Sequence, residues 1–493
     1  MGVIVDQSVK GTVYTYIGVA LGFATTILFS RILSTDQIGL TKILVSYSTL
    51  IAQFGALGIN GVIIRYFPYF RDEKQNHHGF LSLALLGGLA GFILSTLLLL
   101  LLEPWLIHTS IQKSSMFVEY INWLIVIVFF QIFFTIFDGY YTALYNSIHG
   151  TYLKEVFQRI LIILIIGAYF FGFIDFHQFV IWYIAALSLP TLVILFTLIR
   201  ENHFSLQTEF QFLHKDLVRK MLLMAGFSIF NGFSIVLIQN VDTLMINSMV
   251  GLDGAGIYTI CFYFGLFVSL PARSIYKIAN IVAAQAWKNR DMKVIRDVYY
   301  KSCLTLFIIG ILLFIGIWAN VDNIFRIIGD KFASGKWVIF FIALGSLIDL
   351  TTGVNSSILG SSRYYKVQTL FLVILVVLIV AANLILIPVY GIIGAAIGSA
   401  VSLTVLNIVR FLFLYFKLDL QPFNLRFVYV LLIAGAAYFV SRLIPPFPNF
   451  IVDIIIRSSL ITVIFGLPVY FLNISEDINQ KADQYLRLIG LKK

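Results

Sequence analysis

Two basic residues lie one helical turn apart inside an apolar stretch of the chain. Arg273 and Lys277 follow Pro271 in the segment PARSIYK, and a spacing of four residues places both on one face of a helix. A guanidinium binds a phosphate through two parallel hydrogen bonds, and an ammonium binds it as a point charge. The pair is therefore a candidate substrate-binding cationic face. The alternative is that both side chains extend along the helix to reach the membrane surface.

Three acidic residues also interrupt apolar segments, namely Asp242, Asp138 and Asp349. A charge at mid-membrane costs about 2.5–3.5 kcal/mol on insertion scales, so such groups usually face a partner or a wet cavity. Shifting the sequence by 210 residues brings Asp138 to within one position of Asp349. We interpret these acids as candidate gate or ion-coupling residues. The alternatives are a structural ion pair for Asp242 and a carboxylate that anchors a helix end for Asp138.

Other polar residues in the apolar segments are weaker candidates. Arg65 ends the second apolar segment and could contact a phosphate headgroup, although an arginine in this position is more often a membrane anchor. Four asparagines are candidates for the polar lining of a pathway: Asn60, Asn231, Asn240 and Asn355. No residue pattern indicates a catalytic nucleophile, a metal site or a bound cofactor, and coupling to H⁺ or Na⁺ stays open.

The elements that position these residues are apolar helices. Hydrophobic residues make up 60% of the chain and charged residues 12%, with a mean hydropathy of +0.94, whereas soluble domains carry about 25% charged residues. Apolar runs of about 20 residues recur along the chain, which is long enough to cross a bilayer as helices. They do not alternate as the strands of a membrane barrel do. The sequence predicts an all-α polytopic membrane protein with about 14 transmembrane helices.

Basic residues predict how these helices are oriented. When the N-terminus is placed in the cytoplasm, most of the 34 lysines and arginines fall in the inner connections. An even helix number then places both termini in the cytoplasm. The net charge of +10 is explained by this topology and by contact with anionic membrane lipids, so it gives no reason to expect nucleic-acid binding.

Internal repetition predicts the domain organisation. A shift of 217 residues aligns Asp36 with Asp253 and Gly39 with Gly256 in two similar turns, and similar segments end at Gly150 and Gly360. We expect two six-helix pseudo-repeats followed by two extra helices. The predicted boundaries are an N-lobe at 1–200, a cytoplasmic linker at 201–220 with a short interfacial helix, a C-lobe at 221–418, and a final pair of helices with a tail at 419–493.

Three segments resemble one family of membrane transporters, the polysaccharide or O-antigen flippases, in a superfamily that also contains multidrug and toxin extrusion (MATE) antiporters and the lipid II flippase. The opening helix and turn, the seventh helix with its Asp and the turn that follows, and the end of the tenth helix are similar to those of the family. The segments are GTVYTYIGVALGFATTILFSRILSTDQIGL, NVDTLMINSMVGLDGAGIYT and SSILGSSRYYK.

The resemblance implies a MATE-like fold and a function. It implies a protein of the bacterial cytoplasmic (inner) membrane that flips a polyprenyl-pyrophosphate-linked oligosaccharide to the outer leaflet by alternating access. Such a protein would serve the biosynthesis of cell-surface polysaccharide, O-antigen or lipopolysaccharide. The implied partners are the lipid-linked substrate, membrane lipids and polysaccharide assembly proteins.

Two other functions stay open from the residues themselves. A cation-coupled antiporter of organic cations would have the same fold, but a cationic lumen would repel its substrates. A membrane polymerase or glycosyltransferase would need catalytic groups on a sizeable outer loop. The predicted outer loops are mostly short, and the longest contains few such groups. We therefore expect a transporter and not an enzyme.

Overall fold

The chain is helical throughout the part that the computed structural model describes, which comprises residues 2–110, 113–146, 148–207, 209 and 212–488. Helices account for 87% of the structure, and these ranges contain no strand. The first ten helices are α1 (Gly2–Ile32), α2 (Thr35–Gly55), α3 (Ile59–Phe70), α4 (Phe80–Ser110), α5 (Ser115–Tyr120), α6 (Trp123–Ala143), α7 (Ile148–Tyr152), α8 (Gln158–Phe170), α9 (Phe176–Arg200) and α10 (Lys215–Met249).

The remaining helices follow with short connections. They are α11 (Leu252–Leu266), α12 (Ala272–Asn289), α13 (Met292–Ala319), α14 (Val321–Ile328), α15 (Lys336–Thr351), α16 (Asn355–Ser361), α17 (Tyr365–Tyr390), α18 (Ile392–Leu418), α19 (Leu425–Leu443), α20 (Phe450–Phe471) and α21 (Glu476–Leu488). Among the described residues, 12 helices are long and apolar enough to cross a membrane, and the pair α2 and α3 raises the number to 13. The prediction of an all-α polytopic membrane protein is confirmed.

Several of the apolar segments are broken. Helices α2 and α3 meet at 42°, across a turn in which Leu57 and Gly58 both have positive φ. A π-helical turn (Leu153–Phe157) joins α7 to α8. A 3₁₀ turn and Pro271 separate α11 from α12, since proline cannot continue the backbone ladder of a helix. Gly353, with φ of +59°, lies in the break between α15 and α16. Non-helical backbone at membrane depth is stable only inside protein or beside a wet cavity.

The helix predicted in the linker is continuous with the next helix. His214 occupies the N-cap of α10, so residues 215–220 are the first turns of a 35-residue helix. The preceding linker is instead held by the connection between α3 and α4. Asn76 Nδ2 donates to Gln207 Oε1 at 2.9 Å, and His78 Nδ1 lies 2.7 Å from Glu209 Oε2. The sequence of the linker alone gave no signal for this docking.

The chain forms two compact units, Met1–Gly256 and Ile257–Lys493. Helix α10 packs against α2 and α3 and so belongs to the first unit, although its sequence opens the second predicted repeat. The boundaries predicted for the two lobes describe the sequence repeat, and they stay a prediction. The division between compact units falls within α11.

Candidate functional site

The two repeated turns identified in the sequence pack directly against each other in the first unit. Helix α2 begins at a capping box, in which Gln37 N donates to Ser34 Oγ at 3.2 Å and Ser34 N donates to Gln37 Oε1 at 3.0 Å. A side chain on Gly39 would overlap the carbonyl of Leu252, and one on Gly256 would overlap the carbonyl of Thr35. Glycine is therefore required at both positions for this contact between backbones.

Asn240, one of the predicted lining residues, is buried on α10 beside a lysine that the sequence analysis did not single out. Lys42 Nζ donates to Asn240 Oδ1 at 3.3 Å, and Ser46 Oγ donates to the same oxygen at 2.9 Å. Asp242 lies two residues further along α10 and is buried, with 6% of its surface exposed. These contacts join α2 to α10 by polar groups within the first unit.

Asp138 lies near the end of α6, where its carboxylate is half-buried against Gly150. Lys154, in the π-helical turn, opposes its charge, and the Lys154 ammonium lies 4.5 Å from the centre of the Phe134 ring. Asp138 therefore lies against the start of α7. One turn beyond Lys154, Arg159 Nη2 lies 2.9 Å from Glu155 Oε2.

The remaining candidates of the first unit are more exposed. Arg65 is exposed on α3, with Nη1 3.9 Å from the sulfur of Met224. Asn60 is exposed at the start of α3, and its side chain lies against Gly139 of α6. Asn231 is half-buried on α10. None of these three residues is among the hydrogen-bond partners of Asn240 in the described part of the chain.

The second unit contains a larger polar cluster, which we call the α15–α18 network. Asn407 of α18 is fully buried and donates through Nδ2 to Asp349 Oδ1 at 3.0 Å. Its Oδ1 accepts hydrogen bonds from Thr352 Oγ1 at 3.1 Å and from Asn355 Nδ2 at 3.2 Å. Thr352 and Asn355 lie at the break between α15 and α16, so the network satisfies polar groups where the helix is interrupted.

Arg410 lies one turn beyond Asn407 on α18 and extends this cluster. It is 5% exposed, and its charge interacts with Asp349 and with Tyr276 of α12. Sequence reasoning missed Arg410 because a basic residue near the end of an apolar segment is usually a membrane anchor. The available signal was its position, eight residues before the end of α18 and so about 12 Å from that end.

Arg273 lies in the first turn of α12, directly after the break at Pro271, and its side chain is exposed. Lys277 belongs to the same helix, but its side chain lies outside the described residues. Tyr276, between them, is half-buried and interacts with Asp349 and Arg410. Trp287 Nε1 of α12 donates to the carbonyl of Ile358 in α16 at 3.0 Å. Helix α12 is thus held beside the α15–α18 network.

A second buried charge pair in this unit is structural. Arg457 and Asp453 of α20 are 5% and 2% exposed, and Arg457 Nη2 lies 3.1 Å from Asp453 Oδ1. Arg457 also donates to the carbonyls of Ser441 and Ile444, and Asp453 accepts from Asn323. The two carbonyl contacts join α20 to the end of α19, and the contact with Asn323 joins α20 to α14. The sequence analysis did not single out this pair.

Solved structures share this arrangement of helices. The lipid II flippase MurJ in an inward closed conformation matches with a TM-score of 0.74 at 15% identity, covering 94% of this chain and 99% of that protein. An inward-facing multidrug resistance MATE transporter matches with a TM-score of 0.62 at 14% identity, covering 82% of this chain and 94% of the other. The MATE-like fold that the sequence predicts is confirmed.

Sequence comparison identifies relatives over most of the chain. An uncharacterised membrane protein of Methanocaldococcus jannaschii is 18% identical over 449 residues, which cover 87% of this chain and 88% of that protein. The profile of the polysaccharide biosynthesis proteins matches residues 8–277, from α1 to the cationic part of α12. Because this match covers more than half of the 493 residues, the chain belongs to the polysaccharide biosynthesis protein family.

Proposed function

We propose that this protein flips a polyprenyl-pyrophosphate-linked oligosaccharide across the membrane by alternating access. The observation that carries the proposal is Arg273, an exposed guanidinium on α12 directly after the helix break. Lys277 follows one turn later on that helix. A pyrophosphate must lose its hydration to cross a bilayer, and an arginine fork replaces water with two charge-assisted hydrogen bonds. Membership of the family and the fold shared with a lipid II flippase support the same class of substrate.

The mechanism follows from the charge distribution. In the inward state, Arg273 and Lys277 bind the phosphates while the polyprenyl chain stays in lipid. The opposite state then releases the headgroup outside. Coupling to H⁺, to Na⁺ or to the membrane potential would drive transport toward the outside. The candidate acids for ion coupling are Asp242, Asp349 and Asp138. We further propose a bacterial inner-membrane location with both termini in the cytoplasm.

The test is complementation of a strain that lacks the protein, together with measurement of lipid-linked oligosaccharide on the cytoplasmic face. Arg273→Ala and Lys277→Ala should make this precursor accumulate and should lower surface glycan at least about tenfold, because each removes a charged phosphate contact. Lys288→Ala is the matched control, since Lys288 is an exposed lysine in the last turn of the same helix. Its glycan level should equal that of the wild type.

The alternative is an antiporter of organic cations. The α15–α18 network offers one observation in its favour, because Asp349 and the amide oxygen of Asn407 are groups that could bind a cation. Normal surface glycan in both Arg273→Ala and the deletion strain, combined with increased sensitivity of the deletion strain to cationic drugs, would replace the flippase proposal with this one.

A further inference from the structure

Arg410 combines burial with incomplete hydrogen bonding. The residue is 5% exposed, and its Nε is buried without a hydrogen-bond partner among the described residues. A buried charged donor that lacks a partner is costly, because it has lost hydration without replacing it. Asp349 interacts with Arg410 electrostatically. Its Oδ1, however, accepts a hydrogen bond from Asn407 Nδ2 and not from Arg410.

The other buried arginine of the same unit shows what a structural role looks like. Arg457 is equally buried, but its guanidinium contacts Asp453 through Nε at 3.4 Å and Nη2 at 3.1 Å, and Nη1 donates to the carbonyl of Ser441 at 2.5 Å. An arginine that only holds helices together satisfies its donors in this way. In contrast, Nε of Arg410 has no acceptor among the described residues and could donate to a bound ligand.

The surroundings of Arg410 indicate where that acceptor would bind. Tyr276 of α12 interacts with Arg410, and Arg273 precedes Tyr276 by three residues, so both lie on neighbouring positions of one helix face. Arg410 of α18 therefore lies on the side of α12 that carries Tyr276, one helical turn from the exposed Arg273. Two guanidinium groups from these two helices would suit an anion with several acceptor oxygens.

We infer that Arg410 is a further phosphate-binding residue, which completes the cationic site of α12 with a second guanidinium. The inference rests on the proposed function and extends it. A pyrophosphate oxygen would accept a hydrogen bond from Nε of Arg410, the donor that lacks a partner among the described residues. Asp349 would stay bonded to Asn407 and would oppose the charge of Arg410 when no substrate is bound, which keeps phosphate binding reversible.

The test measures binding of a short-chain isoprenyl pyrophosphate to the purified full-length protein in nanodiscs of neutral phosphatidylcholine. Arg410→Gln should raise the dissociation constant about tenfold or more, since a charge-assisted contact is lost. Arg410→Lys should give a smaller rise because it retains the charge and loses the fork. Lys417→Gln is the matched control, an exposed basic residue in the last turn of the same helix.

A structural role for Arg410 gives a different pattern. The double variant Asp349→Asn with Arg410→Gln removes both charges, so it should keep the melting temperature close to that of the wild type while pyrophosphate binding stays weak. If Arg410→Gln binds with wild-type affinity at an unchanged melting temperature, Arg410 is not a ligand. If the double variant restores binding together with stability, Arg410 is structural and the inference is overturned.

Two further arms separate this inference from the proposed function and identify the source of phosphate. Loss of binding in Arg273→Ala with normal binding in Arg410→Gln overturns only the role of Arg410, whereas no binding of the probe by the wild type overturns both. Nanodiscs with phosphatidylglycerol provide a competing phosphodiester. Retained pyrophosphate binding in them supports the inference, and displacement of the probe by this lipid at equal concentration means that the site binds a phospholipid headgroup.

Discussion

Asp138 and Asp349 occupy equivalent places in the two sequence repeats, yet the two units hold them differently. In the first unit, Asp138 packs on Gly150 and is opposed by the charge of Lys154. In the second, Asp349 is bonded to the neutral amide of Asn407, and a buried arginine lies nearby with an unsatisfied donor. The difference suggests that one repeat uses its acid to fix a helix start, while the other leaves a positive charge available for a ligand.

The largest expected effect is on the first unit. Asp138→Ala leaves the half-buried ammonium of Lys154 without the carboxylate that opposes its charge. This loss should lower the free energy of unfolding by about 3 kcal/mol. The double variant Asp138→Leu with Lys154→Met should recover most of this loss, because no charge is then left unpaired. Thermal unfolding of the purified protein in detergent measures both. An unchanged melting temperature in Asp138→Ala would mean that Asp138 does not stabilise the first unit, which contradicts the difference drawn between the two acids.

A smaller effect is expected in the second unit from Asn407→Leu. The variant removes the shared partner of Asp349, Thr352 and Asn355, so the free energy of unfolding should fall by about 2 kcal/mol. Thermal unfolding again measures the change, and Ser441→Ala serves as a control because Ser441 is a buried polar residue outside the network. If Asn407→Leu and Ser441→Ala are equally stable, the network does not hold the helix break together.

The smallest effect on stability should come from Asp349→Asn. Unlike Asp138→Ala, this variant keeps an acceptor for Asn407 Nδ2 and a side chain of similar shape, so the free energy of unfolding should fall by only about 1 kcal/mol even though Arg410 loses the acid that opposes its charge. Binding of the pyrophosphate probe should become tighter, because the acid no longer opposes the charge of Arg410. Weaker binding in Asp349→Asn would show that Asp349 assists the ligand directly, which contradicts the contrast drawn between the two acids.

The class of fold can be predicted from the sequence because the thickness of the lipid bilayer sets the length that an apolar helix must have to cross it. The break at Pro271 also follows, since proline cannot continue the backbone ladder. The turn at Leu57 and Gly58 could not be predicted, because its residues are as apolar as the helices beside it. Arg410 was missed for a related reason. Its type and position are those of an anchor, and only the packing of α15 and α17 against α18 reveals its burial.

The contact between the two repeated turns has a consequence for suppressor genetics. Side chains on Gly39 or Gly256 would collide with the main-chain carbonyls of Leu252 and Thr35. When a collision involves a neighbouring side chain, shortening that side chain elsewhere in the protein can relieve it. A carbonyl cannot be shortened by any substitution. Selection for revertants of Gly39→Val should therefore recover changes at codon 39 itself and few compensating changes at a distance.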